Sequence, residues 1–469
     1  MYNSCVRFCT KKFFKGGLMD KFFGITAAKS SVRTEIIAGI TTFFTMAYII
    51  VVNPSILSAT TSNPDQYWSP IFIATCIASA IGTLMMGLYA RIPFAQAPGM
   101  GLNAFFAFSV ATIYGYNGAL AAVLISGILF IIITLIGLRE SIVKAIPHNL
   151  KMAISAGIGL FIAFVGMQNA GIVVNNDATL VSFASFSLKQ EAFPFAPLLA
   201  IIGVIIIAIL YYFKVKGSIL IGIIACTIIG IPFGITKLPE SITTSNIGES
   251  FAGWVKLSLF KLDFAALMGD AAGIFAGVLT ILTVVISFTL VDMFDTIGTL
   301  VGTAKQANML DENGNMPRMK QAMMCDAVAT TAGACMGTST VTTYIESGAG
   351  ISEGGRTGLT SVTTGILFLV ALVLAPIAGI VPAAATAPAL IIVGVLMMAS
   401  LKDIDFSDVT EAVPAFLTMV MMPLTYSIAT GIGIGLISYV LIKLCTGKIK
   451  DLHVLSIIVA LLFVIKFIL

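Results

Sequence analysis

The sequence predicts an all-α polytopic membrane protein of fourteen transmembrane segments. They form two inverted seven-span repeats, with short antiparallel strands in spans 3 and 10. Three observations carry this. The 469 residues are 58% hydrophobic and only 10% charged, with a mean hydropathy of +1.03, whereas a soluble domain carries about 25% charged residues. A polar stretch, 237–262, with Pro239, Asn246 and Trp254, divides the apolar segments into seven and seven. In each half the third segment is irregular. Ala97-Pro98-Gly99-Met100-Gly101 opens one, and the run from Thr342 to Gly358, with two carboxylates, an arginine, a tyrosine and five glycines, occupies the other. Seven is odd, so the halves have opposite orientations, the pattern of inverted repeats around a midplane site.

A helix needs about 20 apolar residues to cross a bilayer. The candidates run 34–58, 69–90, 97–115, 118–137, 151–173, 194–213, 217–236, 274–303, 318–337, 338–353, 356–380, 384–401, 408–444 and 451–468. The thirteenth is long and broken near Pro423. Residues 1–33 hold Lys11, Lys12, Lys15, Lys21, Lys29 and Arg33 without an apolar core, which reads as a basic cytoplasmic tail and not a secretory signal. Met19-Asp20-Lys21-Phe22-Phe23 fits an alternative start, with residues 1–18 expected to be dispensable.

With that tail inside, Arg91, the group Arg139, Lys144 and Lys151, the pair Lys214 and Lys216, then Lys305, Arg318 and Lys320, and Lys402 all fall on inner loops, as the positive-inside rule asks. The outer loops 59–68 and 174–193 are poor in Lys and Arg. Lys443, Lys448 and Lys450 fall outside in this count, so either the thirteenth segment is a hairpin or these lysines break the rule.

The seven cysteines, Cys226, Cys325 and Cys335 among them, lack metal-ligand spacing and read as small apolar residues or free thiols. His148 and His453 sit at loop edges, which argues against a His-based metal site. There is no G-x-x-x-x-G-K-[ST] loop, no catalytic triad and no zinc motif. ATP-driven transport and enzymatic chemistry find no support, and no cofactor, metal or nucleic-acid partner is expected.

Three segments could carry chemistry. In span 3, Pro98 favours extended backbone before it, and the chain turns helical near Gly99. This fits a half-helix whose N–H groups face a cavity, with Asn103, Phe105 and Phe106 nearby, or a Pro/Gly kink packed on aromatics. In span 8, Asp292 and Asp295 lie three apart on one helical face. A charge at a helix centre costs roughly 2.5–3.5 kcal/mol on insertion scales, so they read as functional, or as lying near the interface or paired with polar neighbours. In span 10, Val341-Thr342-Thr343-Tyr344-Ile345 is β-branched and aromatic, which favours a strand. Glu346 follows. A strand at membrane depth needs partners for its N–H and C=O groups, and the extended start of span 3 is the obvious one; the other reading is a solvated loop. Glu353 with Arg356 suggests an i, i+3 ion pair or a cap at the start of span 11. Asp326 and Glu411 are weaker candidates, and Met397, Met398, Met419, Met421 and Met422 read as packing or lipid-facing residues.

These residues carry a resemblance. Thr342-Thr343-Tyr344-Ile345-Glu346-Ser347 resembles the T-T-Y-G-E-N segment of uracil permeases in the nucleobase–ascorbate transporter (nucleobase:cation symporter-2) superfamily. Asp295-Thr296-Ile297-Gly298-Thr299 resembles its E-S-I-G-D segment. Arg33 to Gly39, Met46 to Pro54, Ala97 to Ala104 and Glu346 to Gly358 are more similar still to the purine branch, the AzgA-like hypoxanthine/guanine/adenine permeases.

The resemblance implies a core that holds substrate (34–150, spans 1–4, and 274–380, spans 8–11) and a gate that moves against it (151–236, spans 5–7, and 381–469, spans 12–14). The tail 1–33 and an inter-repeat linker, 237–273, complete the chain. Asp295 then matches the span-8 substrate carboxylate and Glu346 the span-10 one. Tyr344 and Ile345 match positions offering backbone contacts. Phe106, or Phe105 with a one-residue shift, matches a stacking aromatic, and Asn103 a polar position of the purine branch. Ser347 stands where the family has Asn, and Thr299 where it has an acid or His. Asp292 has no clear counterpart, so Asp292, Asp295 and Glu346 are the proton-coupling candidates.

The implied activity is secondary active import of adenine, guanine and hypoxanthine by proton symport. The implied setting is a multi-pass protein of the cell (inner) membrane with a cytoplasmic N-terminus. The implied partners are a purine base, a coupling cation, the lipid bilayer and a second copy in a homodimer. The alternatives are a xanthine or uracil permease, or an anion transporter or channel on the same fold, against which two midplane carboxylates count.

Overall fold

A computed structural model of the chain describes residues 18–137, 147–186, 195–237, 245–268, 274–307, 309, 316 and 318–468. Arg139, Lys144, Pro239 and most of the basic tail lie outside these residues. Within the helix Ile274–Gln306 the side chains of Asp295 and Lys305, among others, are also outside the description, as is that of Asn246.

Eight of the described helices are long and apolar enough to cross a membrane, and shorter apolar helices accompany them. Span 1 is Val32–Met46 continued by Ile49–Ser58, and span 2 is Pro64–Met85. Span 3 is a strand, β1 (Gln96–Pro98), running into the helix Met100–Ala104 and a π-helical stretch, Phe105–Ala111. Span 4 is the helix to Ile136; Gly115, at φ 72° and ψ 167°, makes the bend that separates it from span 3, a conformation open to glycine alone. Spans 5 to 7 are His148–Asn169, Phe195–Tyr212 and Ser218–Ile229. A hairpin of β2 (Val173–Asn176) and β3 (Leu180–Phe183) sits between spans 5 and 6, an addition to the two strands the sequence suggests.

Span 8 is Ile274–Gln306 and span 9 is Met319–Met336. Span 10 is β4 (Val341–Thr343) followed by a short helix, Ser347–Ser352. Span 11 starts at Gly358, and span 12 is Ala383–Met397.

The long apolar region after span 12 is a hairpin. Val409–Leu424 and Ile428–Cys445 are separate helices packed side by side, turned at Thr425–Ser427 with Tyr426 at φ 53°. These are spans 13 and 14, a correction to the single segment 408–444, and Val454–Ile468 is a further helix behind them. The returning helix brings Lys448 to Asp408, 2.7 Å from Nζ to Oδ2, and Lys443 to Glu411, 2.8 Å. The three lysines that break the charge rule as a single segment thus lie at the end of the bundle where span 13 begins. The polar linker is not merely a loop: Ser245–Leu257 is a helix against span 2, with Trp254 donating to the Met336 carbonyl at 2.8 Å.

The halves repeat one another in their packing. Span 2 lies on span 11 as span 9 lies on span 4, span 1 on span 11 as span 8 on span 4, and span 6 on span 12 as span 13 on span 5. The pseudo-symmetry centres on β1 and β4, which pair antiparallel with Gln96 opposite Thr343 and Pro98 opposite Val341. The ladder continues outside the strands, Tyr344 N–H to Ala95 O and Gly99 N–H to Thr340 O, both 3.0 Å. Pro98 has no N–H to give, which a two-stranded edge tolerates.

Candidate functional site

Two broken spans meeting at their extended starts expose backbone that must be satisfied inside the bundle. Two threonines do this in matching fashion. Thr83 of span 2 donates to the Gln96 carbonyl and accepts from its N–H, both at 2.9 Å. Thr330 of span 9 donates to the Val341 carbonyl at 3.0 Å and accepts from its N–H at 3.2 Å. Each hydroxyl sews one strand to the helix before it, at equivalent places in the two repeats.

Around the strands lies a buried polar network. Gln96 Nε2 donates to Asp326 Oδ1 at 3.0 Å, Thr296 donates to Asp326 Oδ2 at 2.8 Å, and Thr296 and Thr342 share a hydroxyl hydrogen bond at 2.8 Å. All four residues are buried. Spans 3, 8, 9 and 10 are joined here by neutral donors around a single carboxylate. Asp292, one turn before Thr296, is also buried and lies 3.4 Å from the Thr330 hydroxyl.

Glu346 sits in the link between β4 and the helix Ser347–Ser352. Its Oε1 accepts from the Tyr48 hydroxyl of span 1 at 2.6 Å. Ser347 accepts from the Ala95 N–H at 3.0 Å, tying this half-helix to the chain ahead of β1. Gly350 lets it lie on span 1, since a Cβ there would overlap Thr42 and the Ala38 carbonyl.

The structure sorts the residues singled out in the sequence. Glu346, Tyr344, Asn103 and Asp292 all converge on the strand pair. Tyr344 contributes structurally: its N–H bonds Ala95 and its hydroxyl donates to the Pro98 carbonyl at 2.5 Å. The Ile345 side chain is 57% exposed. Asn103 is a staple: Oδ1 accepts from Ser339 and Nδ2 points to the Pro98 carbonyl at 3.4 Å. Phe105 meets Phe288 edge-on at 4.6 Å between centroids, and Phe288 precedes Asp292 by one helical turn. Phe106 turns away to Tyr116, at 5.8 Å. Of the two aromatics, Phe105 therefore lies beside the acidic face of span 8. The Asp295 side chain lies outside the described residues.

Glu353 does not pair with Arg356. It meets Lys216, in the loop between spans 6 and 7, while Arg356 Nη1 donates to the carbonyls of Ile351 and Gly355. Span 11 is capped instead by the Thr357 hydroxyl, which accepts from the Leu359 N–H at 3.4 Å, and the chain leading into it is held by Glu35, wholly buried in span 1. Its Oε1 accepts from Arg356 N–H at 3.0 Å, and its Oε2 from Thr357 N–H at 3.1 Å and the Thr360 hydroxyl at 2.6 Å. Sequence reading passed over Glu35, Tyr48 and the Thr83/Thr330 pair. An acid in the first turn of an apolar segment was the available signal for the first.

Residues 33–434 match the Permease family Xan_ur_permease. Adenine permease AdeP of Escherichia coli is 42% identical over 96% of this chain and 96% of its own length. Guanine/hypoxanthine permease PbuG of Bacillus subtilis is 43% identical over 96% and 99%. Among solved structures, the transmembrane domain of the cyanobacterial bicarbonate transporter BicA superposes with a TM-score of 0.61 at 16% identity, covering 85% of this chain and 96% of that one. Murine Slc26a9 in its inward-facing state gives 0.58 at 8%, over 88% and 68%. These neighbours share the fold, two inverted repeats of seven spans. The chain is a multi-pass membrane transporter, not an enzyme, and it belongs to the Permease family, in the AzgA-like purine branch of the nucleobase:cation symporter-2 superfamily.

Proposed function

We propose that this chain imports purine nucleobases (adenine, guanine and hypoxanthine) by proton symport, with the base bound where spans 3 and 10 cross. The observation that carries this is Glu346: a carboxylate at the end of β4, held by one neutral hydroxyl beside a half-helix N-terminus. A carboxylate accepts ring N–H donors, and backbone and aromatic groups complete the recognition of a planar base. Asp295 of span 8 is the second carboxylate, Phe105 the stacking ring, and the carbonyls around Tyr344 and Ile345 further acceptors. Asn103 keeps the crossing in shape.

Spans 1–4 and 8–11 carry the base, and spans 5–7 and 12–14 form the gate against which they move. A proton arriving on Asp292, Asp295 or Glu346 lowers the cost of leaving that group in a dry cavity. One charge crossing about 100 mV supplies about 2.3 kcal/mol, enough for about a 50-fold gradient. The setting is the cell membrane, with the N-terminus cytoplasmic and two copies associated.

The test is uptake of labelled hypoxanthine, guanine and adenine by Asp295→Ala and Glu346→Ala, with membrane insertion measured in parallel. Normal insertion without uptake is expected, and wild-type uptake by both would overturn the site. Collapse of wild-type uptake by a protonophore is expected of proton coupling; indifference to it would remove that part.

A further inference from the structure

Span 1 breaks at Ala47–Tyr48, between its helices Val32–Met46 and Ile49–Ser58. There the Ala47 and Tyr48 carbonyls accept from the N–H groups of Ile50 and Val51, both at 3.2 Å, a 3₁₀-type tightening of the turn. At the break Tyr48 is 1% exposed. A buried phenol seeks a partner for its O–H, and this one donates to Glu346 Oε1, 298 residues away, at 2.6 Å.

The carboxylates around the strand pair and span 1 differ in how they are held: Glu35 and Asp326 are buried and Glu346 is half-buried. Glu35 is engaged through both oxygens, by Arg356 on one and by Thr357 and Thr360 on the other. Asp326 is likewise engaged through both, by Gln96 and Thr296. Such groups are fixed parts of the frame. Glu346 has Oε1 on Tyr48 and its own backbone N–H beside the carboxylate, and among the described residues no side chain donates to Oε2. It also stands at a hinge in the chain, between a strand and a half-helix, where a Glu side chain has several rotamers. A group tethered at one oxygen is aimed by the tether while the other stays available.

We propose that Tyr48 is a positioning residue of the transport site: its hydroxyl fixes Glu346 through Oε1 so that Oε2 is presented to a ring N–H of the purine. This rests on the purine-site reading above. Tyr48 acts through Glu346 and need not touch the base. The break in span 1 belongs to the same device, because it is what brings Tyr48 to the strand pair.

The test is concentration-dependent uptake of labelled hypoxanthine by Tyr48→Phe, Glu346→Asp, the double variant and Glu346→Ala. Tyr48→Phe removes only the hydroxyl. It is expected to raise KM about tenfold, about 1.4 kcal/mol, with Vmax per inserted molecule within about twofold. A merely structural hydroxyl would lower the amount inserted and leave KM alone, and KM does not depend on that amount. Glu346→Asp shortens the side chain out of reach of Tyr48, so adding Tyr48→Phe to it should change KM less than about twofold. An unchanged KM in Tyr48→Phe, or a full further loss in the double variant, overturns the proposal. If Glu346→Ala itself transports like wild type, the site reading fails instead, so the two failures are distinguishable.

Discussion

Carboxylates in two regions of this molecule are handled in opposite ways. Around the crossed strands, Asp326, Glu35 and Glu346 are held by amide, hydroxyl and backbone donors. At the hairpin of spans 13 and 14, the acids meet lysines: Glu411 and Asp451 share Lys443, at 2.8 and 3.1 Å, and Asp408 takes Lys448. A neutral donor orients a carboxylate without cancelling its charge, so the group can still bind an N–H or a proton. A lysine cancels the charge and fixes two helix ends together. The first arrangement suits a site that must load and unload, the second a scaffold.

Replacing an acid by leucine in each region breaks this comparison most directly. Asp326→Leu leaves Gln96 Nε2 and Thr296 without their acceptor in a buried place, at about 1–3 kcal/mol for each orphaned group, and uptake should vanish. Glu411→Leu removes one acid from Lys443, whose side chain is only 3% exposed, and leaves it Asp451 at 3.1 Å. A buried charge that loses one partner can cost about 3–5 kcal/mol, so stability should fall, while uptake per inserted molecule should stay within a few-fold because the pair joins helix ends away from the strands. Uptake assays beside thermal unfolding of the purified variants check both, and equal losses of uptake would erase the distinction.

Glu35→Ala comes next. It frees the chain leading into span 11 and should cost roughly 3 kcal/mol, since hydrogen bonds to charged groups run about 1.5–3 kcal/mol and do not add fully. Smaller again are Thr83→Val and Thr330→Val. Each strips a hydroxyl from one strand, and because the two threonines bond their strands alike in opposite repeats, their losses of thermal stability should match within about 1 kcal/mol, with any excess at Thr330 falling to its 3.4 Å contact with Asp292. A large loss from one and none from the other would mean the repeats are not equivalent at the strands.

The smallest effect is at Asp408. Lys448 and Thr410 hold its carboxyl below the ordinary value of 3.8. A depressed folded-state value stabilises above the ordinary one and is lost as pH falls through it. The stability difference between wild type and Asp408→Asn should be flat above about pH 5 and shrink in more acid solution. It should also fall with added salt.

Much of this was legible in the sequence, for stated physical reasons. Long apolar runs must be spans, and Ala-Pro-Gly and Val-Thr-Thr-Tyr must be extended, so their pairing follows from the need to satisfy backbone at membrane depth. What escaped were pairings set by the third dimension. Tyr48 stands in Ala-Tyr-Ile-Ile-Val-Val, where an aromatic reads as lipid-facing. Gln96 and Asp326 are 230 residues apart. Thr83 and Thr330 occur in apolar helices where a threonine more often bonds its own backbone. The hairpin of spans 13 and 14 showed in the sequence only as one reading of the misplaced lysines, because its turn, Thr425-Tyr426-Ser427, lacks glycine and charge. Asn103 lies at the strand crossing, but its polar atoms meet protein partners.

The central claim is that a purine occupies the strand crossing. Uptake of labelled hypoxanthine into vesicles carrying the wild-type chain, competed with adenine, guanine, xanthine, uracil and sulfate, tests it most directly. The account predicts strong competition by adenine and guanine and none by sulfate. Inhibition by sulfate, with adenine and guanine inert, would contradict it.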